Sequence, residues 1–122
     1  MEFNRDRAIY LQIADLIIEH ILARRWQPRE RIPAIREMAV SNQVNPNTVA
    51  RTYMFLQDQA IIYQERGIGY FIAEDAYQQV LQLKRREFTA EELPRLFKTM
   101  KLLGITPEEL IRWFARFNDQ DK

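Results

Sequence analysis

A chain of 122 residues, 47% hydrophobic and 29% charged, has the size and balance of one folded domain, or one small domain with an appendage. Its net charge of +1 names no partner, and the absence of cysteine excludes a disulfide scaffold, a thiol nucleophile and a thiolate zinc site. A single histidine and three glycines leave no two-histidine metal site, triad or glycine-rich phosphate loop, so no enzyme, metal or cofactor is expected.

At the start of the chain, Glu2, Arg5, Asp6 and Arg7 exclude a signal-peptide core, and no apolar run approaches the ~18–20 residues of a membrane helix. A cytoplasmic protein without a membrane partner is expected. The first periodic stretch runs from Ile9 to Leu22. Ile9, Ile13, Leu16, Ile17 and Ile21 share one helical face, and Leu11, Ile18 and Leu22 widen it. His20 sits at its edge as a packed or surface histidine. A loop from Arg24 to Ile32 follows, anchored by Trp26 and Pro28.

Pro33 opens a short helix over Ala34–Ala39, with Ile35, Met38 and Ala39 facing inward. Residues 41–44 are a polar turn. Asn45 then reads as an N-cap and Pro46 as N1 of a helix that buries Val49, Tyr53 and Leu56. Two short helices joined by about four residues make a helix-turn-helix. Two β-rich runs, Ile61–Glu65 and Tyr70–Ile72, flank Arg66-Gly67-Ile68-Gly69 and form a hairpin, which completes a winged helix.

Residues 75–122 read as helix throughout. Asp75 to about Arg86 is one helix. Thr89-Ala90-Glu91-Glu92 has capping-box form and starts a second helix, which Gly104 stops; Thr106-Pro107-Glu108-Glu109 starts a third. Some 48 residues bury too little to stand alone. The expected organisation is a winged-helix domain over residues 1–74 and a helical dimerisation tail over residues 75–122. The fold class is mainly α with a small β-hairpin. Leu96, Phe97, Met100, Leu110, Phe114 and Phe117 are the candidate subunit-interface residues, because each lies on a helix whose other face is charged.

Charge is distributed unevenly. Between Arg24 and Arg51 six arginines face only two acids, Glu30 and Glu37, and arginine is the side chain that combines phosphate forking with base-edge pairing.

Four stretches carry a family resemblance: Ile9-Tyr10-Leu11-Gln12-Ile13, Arg31 to Ala39, Val44-Asn45-Pro46-Asn47-Thr48-Val49-Ala50-Arg51-Thr52-Tyr53, and the wing Arg66 to Ile72. In this order they resemble the N-terminal domain of the GntR family of bacterial transcription regulators. The Asn-Pro-Asn-Thr-Val helix start and the short helical tail look like its YtrA-like subfamily. Arg29 stands where the family usually has glycine, and Ala34 where serine is common.

A helix N-terminus in the major groove brings its first turn to base edges. Asn47 has the donor and acceptor to pair with adenine, Asn45 divides between capping and phosphate, and Thr48 lies beside them. Arg51, one turn on, reaches a phosphate or a guanine. The resemblance places Arg36 at a DNA-facing position. Arg66 and Gly67 at the wing tip suit the minor groove. The expected partners are double-stranded operator DNA and a second copy of the chain, as a homodimer reading a palindrome; a small-molecule effector is neither indicated nor excluded. The alternative is a winged helix serving as a protein-interaction module, whose docking helix should expose apolar residues where this chain has Asn-Pro-Asn-Thr.

Overall fold

The computed structural model describes residues 7–120; Glu2, Arg5 and Asp6 of the charged N-terminus lie outside the described residues. It comprises α1 (Ile9–Leu22), β1 (Arg31–Ile32), α2 (Ile35–Asn42), α3 (Pro46–Asp58), β2 (Ile62–Glu65), β3 (Gly69–Ile72) and α4 (Ala76–Glu87), then a π-helical turn (Phe88–Glu92), α5 (Leu93–Leu103) and α6 (Pro107–Gln120). Two compact units divide the chain between Leu83 and Lys84.

In the first unit the apolar face of α1 buries Ile13, Ile17, Ile18 and Ile21; Ile9 and Leu22, expected on that face, stand at the two ends of the helix and are exposed. α3 packs against both α1 and α2, through Val49, Tyr53 and Leu56. Each such side chain contributes about 1.5–3 kcal/mol by leaving water. Thr52 is the buried polar exception, and its hydroxyl donates to the carbonyls of Tyr10 and Thr48 at 2.7 and 3.1 Å.

The hairpin is part of a three-stranded antiparallel sheet in the order β1-β3-β2. Ile62 pairs with Ile72 and Glu65 with Gly69, while Arg31 pairs with Phe71 and Ile32 with Tyr70. The loop expected from Arg24 to Ile32 therefore ends in a strand. Two residues carry no readable alternation, and their pairing partners, Phe71 and Tyr70, lie about forty positions away. Arg29 takes the left-handed conformation (φ 67°) that glycine enters at less cost. Its amide donates to the Ile72 carbonyl at 2.7 Å, which holds the loop to the sheet.

Three local expectations change. α2 begins at Ile35, so Pro33 lies before the helix and Ala34 is the N-cap. Ala34 has no side-chain oxygen to offer, though Glu37 reaches back to its amide at 3.3 Å. α2 also runs through Asn42, and the turn before α3 narrows to a left-handed Gln43 (φ 54°) and Val44.

Thr89 caps nothing: helix continues from Ala76 to Leu103 through the π turn. Pro94 has no amide to give the ladder, and widening the turn before it accommodates that loss. Thr89 instead donates its hydroxyl to the Arg85 and Arg86 carbonyls at 2.9 and 3.1 Å.

Ala76, Val80 and Leu83 of α4 belong to the same buried cluster as α1 and α3. The winged-helix unit thus extends past residue 74, the boundary expected from composition, to Leu83. In the second unit Gly104 ends α5 (φ 68°), and the Thr106 box forms as expected. The Glu109 amide donates to Thr106 Oγ1 at 3.2 Å, and the Thr106 amide to Glu109 Oε1 at 3.2 Å.

Candidate nucleic-acid interface

The start of α3 is fixed by its own sequence. The side-chain oxygen of Asn45 accepts the Asn47 amide at 2.8 Å, Pro46 occupies the first helical position, and the Thr48 amide donates to the Asn45 carbonyl at 3.0 Å. Asn45 is therefore engaged as a cap. This leaves the side chain of Asn47 exposed in the first turn, with Thr48 half-buried beside it.

Arg51 lies one turn further on. Its guanidinium sits 4.0 Å above the centroid of the Tyr10 ring, and that ring meets Phe55 edge-on at 6.3 Å. Tyr10 reads in the sequence as a core aromatic; it is a half-buried platform under Arg51. Tyr10 alternates with apolar neighbours on α1, and only packing of α1 on α3 brings it below an arginine 41 positions away. Tyr53, by contrast, is fully buried, and its hydroxyl donates to the Pro33 carbonyl at 2.6 Å.

Asn47, Thr48 and Arg51 share one depression of about 370 Å³, walled on the other side by Ala8, Ile9 and Tyr10. Arg36 is exposed in another, with Glu37, Val40 and Ser41. Arg66 and Gly67 form the tip of the hairpin, where the Ile68 amide donates to the Glu65 carbonyl at 2.9 Å. Gly67 is the third residue of that turn and has φ 78°, the value a type II turn demands there and which glycine supplies without strain. At Gly69 an added Cβ would stand 2.8 Å from Nε of Arg31, so the absence of a side chain lets Arg31 lie across the root of the wing.

Not every arginine in the charge surplus is free for a ligand. Arg29 is paired with Glu74 at 2.6 Å, whereas Arg24, 3.8 Å over the ring of Tyr77, stands on an aromatic face as Arg51 does. Arg36, Arg51 and Arg66 have no acidic partner at ion-pair distance among the described residues.

The second unit leaves its apolar side chains largely uncovered. Leu96 is 37% exposed, Phe97 50%, Phe114 65% and Phe117 64%; Leu110 is half-buried. Met100 differs from the other five, being already buried within its own chain. Leu102, Leu103, Ile111 and Trp113, not among the expected interface residues, are exposed as well. No residue of α6 is buried. These exposed apolar side chains lie on α5 and α6.

The model of the bacterial regulatory proteins of the gntR family matches residues 9–72. An HTH-type transcriptional regulator of Bacillus subtilis, YhcF, is 37% identical over 97% of this chain and 96% of its own length. The HTH-type transcriptional repressor YtrA of the same organism is 32% identical over 90% and 84%. A crystal structure of a GntR-family regulator from Bacteroides thetaiotaomicron superposes with a TM-score of 0.84 at 40% identity, covering 94% of this chain and all of that one. The match spans the whole reading head, from α1 to the end of the wing, and the relatives are transcription regulators rather than enzymes. The chain belongs to the GntR family and is a transcriptional regulator with an N-terminal winged-helix DNA-binding domain.

Proposed function

We propose that this regulator is a repressor that binds a palindromic operator as a homodimer in the cytoplasm. The observation that carries the reading is the start of α3. A helix capped by Asn45 presents exposed Asn47 at its first turn, with Arg51 posed on Tyr10 one turn behind. In the major groove this order sets Asn47 against a base edge and Arg51 against a phosphate or a guanine. Thr48 and Asn45 flank the backbone, Arg36 adds a contact from α2, and Arg66 with Gly67 enters the minor groove beside it.

The uncovered face of residues 96–117 is the surface through which a second copy pairs, setting two recognition helices on two half-sites. The repressor role is supported by the likeness to YtrA. Selection of bound sequences from random duplex DNA tests the reading. The expected product is an inverted repeat with half-sites one helical turn apart or a multiple of it. Recovery of unrelated sequences, or of single half-sites only, contradicts it.

A further inference from the structure

A cleft of about 360 Å³ opens between α1 and α2 in the winged-helix unit. Its apolar walls include Leu16, Trp26 and Met38, and its polar edge is His20, Ser41 and Asn42. The His20 imidazole stacks on the Trp26 indole, centroids 4.5 Å apart and planes 18° from parallel. Its Nδ1 is buried and has no hydrogen-bond partner among the described residues. A buried N–H there would be an uncompensated donor, so the proton of the neutral ring belongs on Nε2. A stacked imidazole–indole pair lining a cleft near the lower end of the ~300–1,000 Å³ typical of ligand sites defines a ligand class.

We infer that this cleft is a binding site for a small planar aromatic molecule, of one or two fused rings, that carries a hydrogen-bond acceptor. The ring lies among Leu16, Trp26 and Met38, and the acceptor takes the proton of His20 Nε2. The site is built into the reading head. Met38, Ser41 and Asn42 form the last turn of α2, where the Asn42 amide nitrogen donates to the Met38 carbonyl at 2.9 Å. The next residues are the left-handed Gln43, Val44 and the Asn45 cap of α3. An occupant braces that turn against α1 and so alters how α3 meets DNA; this coupling rests on the operator-binding reading.

The test uses the full chain and 2-naphthoate, with cyclohexanecarboxylate as the non-aromatic control, followed by the NMR signals of the Trp26 indole and the His20 imidazole. Saturable shifts with 2-naphthoate, at least tenfold weaker with the control, support the site. Ser41 is exposed on the rim, so Ser41→Phe blocks the mouth without removing core, and it abolishes the shifts. His20→Phe retains stacking but weakens 2-naphthoate binding at least threefold. Absence of saturable shifts at millimolar ligand, or shifts that survive Ser41→Phe, overturns the site. DNA binding by the ligand-free protein is measured first, which tests the operator reading separately. A change of threefold or more in the affinity for selected DNA at saturating 2-naphthoate supports the coupling; binding at Trp26 with unchanged DNA affinity overturns it.

Discussion

Arg51 owes its posture to a neighbour. A free arginine loses about 2 kcal/mol of rotamer entropy when it is fixed. The Tyr10 face, 4.0 Å below the guanidinium, offsets part of that before DNA arrives, since an exposed cation–π contact is worth ~0.5–1 kcal/mol. Arg51→Ala is therefore expected to lower the slope of log affinity against log salt by about one, as one phosphate contact requires. Tyr10→Leu keeps the charge and the slope but loses a few-fold in affinity. Asn47→Ala behaves differently, relaxing selectivity at one base position at a cost of ~1–3 kcal/mol. A uniform loss on all sequences would assign Asn47 to the helix start alone. Tyr53 lends itself to a test by pH. Burial, then the nearby Tyr70 and Glu37, pushes its hydroxyl well above the ordinary 10.0. The unfolded chain releases that proton first, so the contribution of Tyr53 to stability is complete below pH 10 and falls as pH climbs toward the displaced value. Urea unfolding across this range should show the decline, and Tyr53→Phe should flatten it. At neutral pH the same substitution costs ~1–3 kcal/mol, because the Pro33 carbonyl loses its donor.

At the scale of elements, what could be read from the sequence depended on how far each bond reaches along the chain. The starts of α3 and α6 were legible because Asn45 and Thr106 find their partners within three residues. Asn45→Ala accordingly costs about 1 kcal/mol of stability by thermal or urea unfolding, more than a change at exposed Asn47. The face of α1 was legible from its period, and the wing from the glycines between two β-rich runs. Other features depended on contacts no local pattern carries. β1 forms because β3 offers it an edge, and Arg29 accepts a left-handed turn because its amide meets the Ile72 carbonyl. The Thr89 pattern matches that of Thr106, yet helix runs through it, and the Thr89 hydroxyl donates back to the Arg85 and Arg86 carbonyls instead of capping. The candidate site followed the same division. The positions of Asn47 and Arg51 on a capped helix were readable, whereas the aromatic platforms under Arg51 and Arg24 and the pairing of Arg29 with Glu74 appear only when the chain is folded.

The whole molecule poses the question of what its tail is for. Its helices carry Leu96, Phe97, Phe114 and Phe117 exposed, with Leu110 half-buried beside them in sequence. A single winged helix binds a half-site weakly, and a tether between two copies raises affinity by making the second contact intramolecular. The two recognition helices must then stand ~34 Å apart, or a multiple of that, on the duplex. The decisive truncation must respect the core. Removing residues from 75 onward would also strip Ala76, Val80 and Leu83 from the buried cluster, and loss of three core side chains can unfold a small domain. Ending the chain after Glu87 keeps them. That variant is expected to remain folded by circular dichroism, to sediment as a monomer, and to lose most affinity for the full operator while retaining the weaker affinity for one half-site. Phe97→Glu combined with Phe114→Glu should reproduce this without truncation, because both rings are exposed in the monomer and their replacement removes little of its core. Met100→Glu should behave otherwise: that side chain is already buried, so its charge destabilises the tail unit itself. If the full chain sediments as a monomer at micromolar concentration with unimpaired operator binding, the tail is not a subunit interface, and a single α3 must account for all of the affinity.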